Sequence, residues 1–580
     1  MSIPITRNRR GFLKLCGFGA SWMWYPSLIA ACRSTFSSLT YGRELSTDIL
    51  IAGGGLGGCA AALAATRRGR HVIMTEPTDW IGGQLTQQGL SVPDEHEWIE
   101  SFGCTRSYRE LRHRIRSYYR THYALTPEAR GRKYLNPGDG LVSRLCHEPR
   151  VALAVLQEML APAVRAGRLV LLLNTVPETA EVQGDKIKAV QLLNQEEGRK
   201  ITVKTRYVID ATETGELLPL TATEYVTGSE SGRETGEPNA SPEARPDNIE
   251  AMAWCCAIDY LEGQDNTIEK PEQYDFWRSY HPALKPPWPD HPLLSLWISW
   301  PISDKPQELS FVPTVGRYAG YKAEKFNLWL YRRIINQANF QPGVFPSDIT
   351  ILNWAQNDYF LGSIYMGTEE EKARHREGAR HLTLSLLYWL QTEAPRPDGK
   401  AGWPGLRLRK DLLGTRDGLA KFPYIRESRR IKAEFTILEQ HVRESIPERI
   451  NGHAIGRKFY DSVGVGHYDL DVHPTTGGDN YLDLDSYPYQ IPLGALIPRR
   501  MENLLAGCKN IGTTHISNGA YRLHHTEWNI GEAAGALAVF CLTKGEPPRR
   551  IRNQEKLLRE FQDQLIKDGF ELDWSPLAGI

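Results

Sequence analysis

The stretch from Thr47 to Glu76, TDILIAGGGLGGCAAALAATRRGRHVIMTE, constrains this chain more than any other. An apolar run from Ile49 to Ala52 predicts a buried strand. Gly53, Gly55 and Gly58 follow in G-x-G-x-x-G spacing, then an Ala-rich helix and a second apolar run from His71 to Thr75 that closes on Glu76. That order is a βαβ dinucleotide fingerprint. Gly53 makes the tight turn, Gly55 lets backbone approach a pyrophosphate, and Gly58 lets helix and strand pack closely, while the helix N-terminus supplies partial positive charge. Glu76 is placed to accept hydrogen bonds from a ribose. Glycine-rich turns are common, so the weight lies in strand, helix, strand and acid falling in register.

At 580 residues the chain predicts two or more domains. Its 69 basic and 69 acidic residues cancel, which argues against a nucleic-acid partner. Among nine cysteines only Cys255 and Cys256 are neighbours and no CxxC pair occurs. That spacing argues against an intrinsic zinc or iron–sulfur site and against a disulfide scaffold, so no metal is expected.

Arg9 and Arg10, in RRGFLK, precede an apolar segment from Leu15 to Ala31, the layout of a twin-arginine export signal. The competing reading is a basic tail leading into a short buried helix. Ile29, Ala30, Ala31 and Cys32 resemble a bacterial lipobox in which Cys32 is acylated, although small residues also precede cysteines by chance. The expected location is the periplasm or the outer face of the membrane. Twin-arginine export carries folded proteins and suits a passenger that takes up its cofactor in the cytoplasm. No second apolar run reaches the roughly 18 residues of a membrane span, so a soluble mature body is expected.

Further along, Arg106 to Tyr123 reads as a basic helix with an aromatic stripe, either solvated or lining a channel for an anionic substrate. A helix from Ala152 to Ala161 and strands at Leu169 to Leu173, Ala189 to Leu193 and Ile201 to Val203 follow. Gly228 to Asp247 reads as a loop, and the Trp-rich segment after it as core or as a stacked substrate wall. Thr368 to Thr392 predicts a helix with Leu382, Leu386, Leu387 and Leu390 on one face. In GVGHYDLDVHP, strand alternation puts His467, Asp469, Asp471 and His473 on one side. Arg426 and Arg429 suit either a clamp for an anion or ordinary salt bridges. A further helix is expected near Gln554 to Asp568.

Several strings together resemble the bacterial FAD-dependent oxidoreductases: the fingerprint, WIGGQLT, YVIDATETGEL (Tyr207 to Leu217), LNWAQNDY, PYIRESRRI, IPLGALIPRR and NLLAGCKNIGTTHISNGAYRLHHTEWNIGEAAGALA (Asn503 to Ala538). These flavoproteins are similar in their nucleotide domain to the flavin subunit of heterodisulfide reductase. The resemblance runs from Thr47 to Phe540. It implies an α/β fold with a Rossmann-like FAD-binding domain of glutathione-reductase type and an inserted mixed-sheet substrate domain. It also implies FAD contacts at Gly53, Gly55, Gly58, Glu76, Gly82, Gly83, Gln84 and Leu85, at Ala211 and Thr212, and at Gly507, Gly531, Glu532 and Ala533. Two departures stand out. Gly507 is followed by Cys508 and Lys509 where many such flavoproteins carry an aspartate for the ribityl chain, and the cysteine runs of the heterodisulfide reductase subunit are missing.

The expected division is a signal at 1–32, FAD-binding parts at 47–225 and 491–545, a substrate domain at 226–490 and a tail at 546–580. A helix from Asn529 to Leu542, opening at Gly531, is expected to aim its N-terminus at the flavin's pyrimidine edge. The expected activity is oxidation of a small organic substrate by hydride transfer to flavin N5, with oxygen or a carrier as electron acceptor. His524 or His525 is the expected base and Arg522 the substrate anchor. Two other readings remain: an electron-transfer flavoprotein with no small substrate, and an enzyme holding NAD in the fingerprint.

Overall fold

A computed structural model describes residues 44–303, 305–314 and 325–579. The export signal around Arg9 and Arg10, and Cys32, lie outside these described residues.

Strand β1 (Glu44–Ala52) leads through the glycine turn into helix α1 (Leu56–Arg67), which returns to strand β2 (Val72–Thr75). The two strands are parallel, with Ile49 opposite Val72 and Ile51 opposite Met74. Helix α1 is buried on all sides from Leu56 to Thr66, which explains its run of alanines: a helix covered on every face needs small side chains wherever backbone approaches backbone. Helix α2 (Arg106–His122) is capped by the Thr105 hydroxyl, which accepts from the Tyr108 amide. Its Arg112 and Arg116 side chains are only 2% exposed, and both are ion-paired to Glu100, Arg112 also to Glu95. Those arginines are therefore internal counter-ions, neither a solvated face nor an open channel wall.

Helix α3 (Pro149–Arg165) precedes strands β3 (Leu169–Leu172), β4 (Thr175–Gln183), β5 (Lys186–Asn194) and β6 (Lys200–Asp210). Strand β4 was not expected: half of its residues are polar and partly exposed, so it carries little apolar signal. Strand β6 joins in one element the short run at Ile201 to Val203 and the run opening at Tyr207. Its first half pairs antiparallel with β5 and its last three residues pair elsewhere.

In the middle of the chain, strands β7 (Cys256–Tyr260), β8 (Arg333–Ile335), β9 (Ile349–Leu352) and β10 (Leu406–Leu408) form a four-stranded sheet in the order β8-β9-β7-β10, antiparallel throughout. Helix α4 (Glu369–Thr392) opens on a capping box between Thr368 and Glu371 and buries Leu382, Leu386, Leu387 and Leu390. Trp254, Trp277 and Trp288 are buried, in keeping with a core role.

Of the GVGHYDLDVHP alternation, strand β11 (Leu470–Val472) spans only the centre. Strand β12 (Leu504–Ala506) then slots beside the end of β6, Ala506 opposite Asp210. The large sheet is thus seven-stranded, in the order β3-β2-β1-β6-β5-β4 with β12 also on β6. β1, β2, β3, β6 and β12 are parallel, the doubly wound pattern whose ligands bind beyond the carboxyl ends of the strands. Helices α5 (His515–Tyr521), α6 (His524–Lys544) and α7 (Glu555–Asp568) complete the chain.

Helix α6 opens at His524 rather than at Asn529. Gly531 therefore lies inside it, where a Cβ would collide with the Gly57 carbonyl, and Gly535 similarly abuts Ala61. Glycines one turn apart on α6 meet Gly57 and Ala61, also one turn apart on α1, so the two helices touch backbone to backbone. No described helix is long and apolar enough to cross a membrane.

Candidate active site

The glycine turn is closed around its own backbone. Gly53 has φ +96°, and a Cβ there would overlap the Ala211 carbonyl. Ala211 in turn donates its amide to Ala52 at 2.7 Å, so β6 reaches the loop directly. A Cβ on Gly58 would overlap the Gly53 carbonyl, and one on Gly55 would lie 2.8 Å from Glu213 Oε1. No side chain caps the start of α1. Glu76, 2% exposed, accepts from the Gly54 amide at 3.2 Å and from Thr78, and burial pushes its carboxyl up to about 8 against those hydrogen bonds.

The Gly-Gly segment folds over this turn. Gly82 (φ +113°) and Gly83 (φ +55°) enter a short 3-10 turn at Gly83–Leu85, and a Cβ on Gly83 would lie 3.0 Å from the Gly55 Cα. Leu85 is buried beneath it. After β6, the Asp210 carboxylate accepts from the amide and hydroxyl of Thr212, so Asp210 shapes the turn, and burial raises it to about 6.

The C-terminal segment closes the third side. The Gly507 carbonyl is what a Cβ on Gly57 would strike. Glu527, on the first turn of α6, accepts from the Gly57 amide at 3.2 Å. Lys509 is buried, forms an ion pair with Glu213, and lies 3.9 Å from Glu527. The residue that departs from the expected ribityl aspartate thus serves as counter-charge for two buried carboxylates. Glu532 faces the other way and accepts from the Ser107 hydroxyl of α2 at 2.5 Å, and Ala533 is buried beside it.

Gln84 links these residues to a second buried set. Its Nε2 donates to Glu527 Oε2 at 2.5 Å and to the Arg522 carbonyl at 3.0 Å, and its Oε1 accepts from the Tyr424 hydroxyl at 3.3 Å. Beyond it lies a buried polar cluster. Arg522 donates to the carbonyl and carboxylate of Asp471, at 2.8 and 3.0 Å, and to Tyr424. Arg426 pairs with Asp358 at 2.8 Å, and Asp358 also holds His473 at 2.6 Å. Arg429 is bound elsewhere, to the Thr214 and Tyr365 carbonyls, so of the two expected clamps only Arg426 belongs to the cluster.

His524 and His525 clasp the Asp94 loop. His524 Nδ1 accepts from the Asp94 amide at 3.1 Å, and His525 Nε2 accepts from the His467 amide at 3.3 Å. Burial and mutual repulsion hold His524 well below its ordinary value, and burial, with His467, lowers His525 to about 3. Each neutral ring has its accepting nitrogen engaged by backbone, so it turns an N–H to its other side. The expected assignment of either ring as base is revised on that ground. Asp94 Oδ1 is a buried acceptor with no hydrogen-bond partner among the described residues. Burial raises its carboxyl, with Arg332 and Arg522 opposing.

Asp94, Arg332, Tyr424 and Glu527 were not singled out as site residues from the sequence. Glu527, inside the C-terminal string and four residues before Gly531, was the most findable; Arg332 in YRRI carries no local signal. Among the described residues, no group of three or more His, Cys, Asp or Glu side chains is arranged to hold a metal.

Residues 48–565 match the model of the FAD dependent oxidoreductase family, and the chain belongs to that family. No curated protein matches it. Among solved structures it is similar to L-proline dehydrogenase from P. horikoshii (14% identity over 32% of this chain and 24% of that one, TM-score 0.16). It is also similar to the FAD-complexed glycerol-3-phosphate dehydrogenase from Bacillus halodurans (14% identity, 40% and 42%, TM-score 0.22). A third is THI4 from Thermovibrio ammonificans (16% identity, 37% and 80%, TM-score 0.21). The chain thus spans about a quarter of the proline dehydrogenase and two fifths of the glycerol-3-phosphate dehydrogenase it matches.

The chain is thus a member of the FAD dependent oxidoreductase family with an α/β fold of the Rossmann type. The residues present fit that cofactor: an uncapped helix start, a glycine cradle that a Cβ would fill, and the buried Glu76 carboxylate at the end of β2.

Proposed function

We propose that the enzyme oxidises a small organic substrate held in the cluster beyond Gln84 and passes the electrons to oxygen or a carrier. One observation carries this reading: Gln84 joins Glu527, at the nucleotide turn, to Arg522 and Tyr424 in a buried polar cluster. When bound, FAD supplies a hydride acceptor at N5. Glu76 and the turn at Gly53, Gly55 and Gly58 would hold its adenosine and pyrophosphate parts. Gly83, Gln84 and the segment from Gly507 to Glu527 would hold the remainder. In this reading 47–225 and 491–545 form the cofactor half and 226–490 contributes the substrate chamber.

Within that chamber Arg522 anchors substrate through its unpartnered Nε, and Asp94 accepts the proton released from a hydroxyl or amine. His524 and His525 position the Asp94 loop. Gly531 and Glu532 act by seating α6 against α1 and α2. Export by the twin-arginine route, with a lipid on Cys32, is proposed from the sequence pattern; changing Arg9 and Arg10 to Lys should stop translocation. For the oxidation, the test is anaerobic bleaching of the bound flavin by a panel of alcohols, amines, acids and sugars. Bleaching by at least one class supports the reading. Reduction only by an electron-carrier protein would overturn it.

A further inference from the structure

The segment from Gly228 to Asp247, which reads as a loop in the sequence, walls a cavity of about 520 Å³. Its ends are pinned to each other: the Ser229 amide donates to the Arg245 carbonyl at 3.1 Å, and the Arg245 amide to the Ser229 carbonyl at 2.8 Å. Lys285, the stretch from Val472 to Leu482, and His515 at the start of α5 contribute the other walls. That volume suits a small organic molecule. Arg522, Asp471, Tyr424 and Asp94 do not line it, so the cavity is distinct from the cluster beyond Gln84.

The acids on its wall are already supplied with donors. Glu230 pairs with Arg430 at 2.9 Å and accepts from the His515 amide at 2.8 Å. Glu237 accepts from the Thr514 hydroxyl at 2.6 Å and from the Glu439 amide at 2.8 Å. Asp479 pairs with Arg245 and accepts from the Asn248 side chain at 2.7 Å.

Two donors on the same wall are unmatched. His515 is 6% exposed, and its Nδ1 faces both oxygens of Glu427 at 3.1 Å, on the side away from the cavity. The opposite edge of the ring, carrying Nε2, is the one left to the cavity, and it meets no hydrogen-bond partner among the described residues. Held against a buried carboxylate, this imidazole keeps both protons, so Nε2 donates. Lys285 is exposed, with its backbone fixed by Gly478 and Asn480, and its Nζ makes no ion pair among the described residues.

We infer that this cavity is a second small-molecule site, which takes an organic monocarboxylate on His515 Nε2 and Lys285 Nζ. An uncharged ligand would leave both cationic donors without a charged acceptor. A phosphate dianion would bring a second negative charge towards Glu230, Glu237 and Asp479, where like charges cost affinity. The inference stands apart from the substrate reading above, whose residues lie elsewhere.

The test is calorimetry on the FAD-loaded protein with benzoate and butyrate, with their amides benzamide and butyramide, and with inorganic phosphate. Each acid should bind at least about tenfold tighter than its amide, the value of a hydrogen bond between charged groups. His515→Gln should remove about that factor from the acids and leave the amides unchanged. Lys285→Gln, at an exposed position, should weaken the acids by about two- to fivefold. Equal binding of acids and amides, failure of both acids to bind, phosphate binding as tight as the acids, or a preference surviving intact in either variant would overturn the inference. If His515→Gln does not fold, the native comparison and Lys285→Gln decide.

Discussion

The carboxylate of Glu527 accepts a hydrogen bond from the Gly57 amide at 3.2 Å, a contact between residues 470 positions apart. Through it, the first turn of α6 is pinned to the first turn of α1. The Gly531 to Gly57 and Gly535 to Ala61 contacts continue the same seam along both helices.

That seam has no room for a methyl group. Gly531→Ala would drive its Cβ into the Gly57 carbonyl, a backbone atom that cannot swing aside. The expected cost is at least about 1–3 kcal/mol of overpacking, with loss of flavin because the nucleotide turn shifts with α1. Thermal unfolding and the flavin-to-protein absorbance ratio check it. A surface control, Gly545→Ala, meets nothing within 4 Å but has φ +71°, so it should lose a smaller amount of stability and keep its flavin.

Lys509 is the counter-charge for Glu213 and Glu527, all three buried. Lys509→Met would leave two carboxylates facing each other without a cation, a defect of about 3–5 kcal/mol for a broken buried pair. Pairing it with Glu213→Gln should recover much of that loss. Denaturant midpoints of the two single variants and the double variant measure the coupling.

Glu76 offers its carboxylate at the end of β2, where a ribose of the cofactor would lie. Glu76→Ala removes the acceptor of the Gly54 amide as well. FAD affinity should fall by about two- to tenfold, the value of a hydrogen bond to a neutral group, since burial keeps this carboxyl largely protonated near neutral pH. Fluorescence of flavin released on dialysis reports it.

The pair His515 and Glu427, 3.1 Å apart, sets a pH window. Burial disfavours the charge of each. Against it, Glu427 raises His515 from 6.5 to about 9, while His515 and Arg430 lower Glu427 from 4.5 to about 2. A raised histidine contributes its full stability below its unfolded value and loses it as pH climbs through the folded one, here between about 6.5 and 9. The depressed carboxylate contributes above about 4.5 and loses its share as pH falls towards 2. Stability should therefore drop by up to about 3 kcal/mol on the alkaline side, and His515→Gln should flatten that limb. Urea midpoints across pH 6 to 10 test it.

The nucleotide half was readable because its constraints are local. Gly53, Gly55 and Gly58 are needed where a turn, a close approach and a helix–strand contact fall within six positions, and Leu504 to Ala506 is apolar because it is an inner strand. The start of α6 was read too late because His524, His525, Thr526 and Glu527 look like a loop. They are helical because Glu527 and the two histidines bond to distant backbone, which no local pattern encodes. Strand β4 lacked an apolar face for the same window-based reading. In the cluster beyond Gln84, Arg522, Asp471 and Tyr424 come from three separated segments, and only the fold brings them into hydrogen-bond contact. Arg112 and Arg116 of α2 look like part of its solvated face until Glu95 and Glu100 are seen to pair with them in the interior.

The account rests on both ends of the chain gripping one FAD, and hydrogen–deuterium exchange on FAD titration into the flavin-free protein tests that directly. Peptides covering Gly53 to Gly58 and those covering Gly507 to Glu527 should gain protection together, at the same FAD concentration. Protection confined to the first group, with the second exchanging unchanged, would contradict the shared cradle.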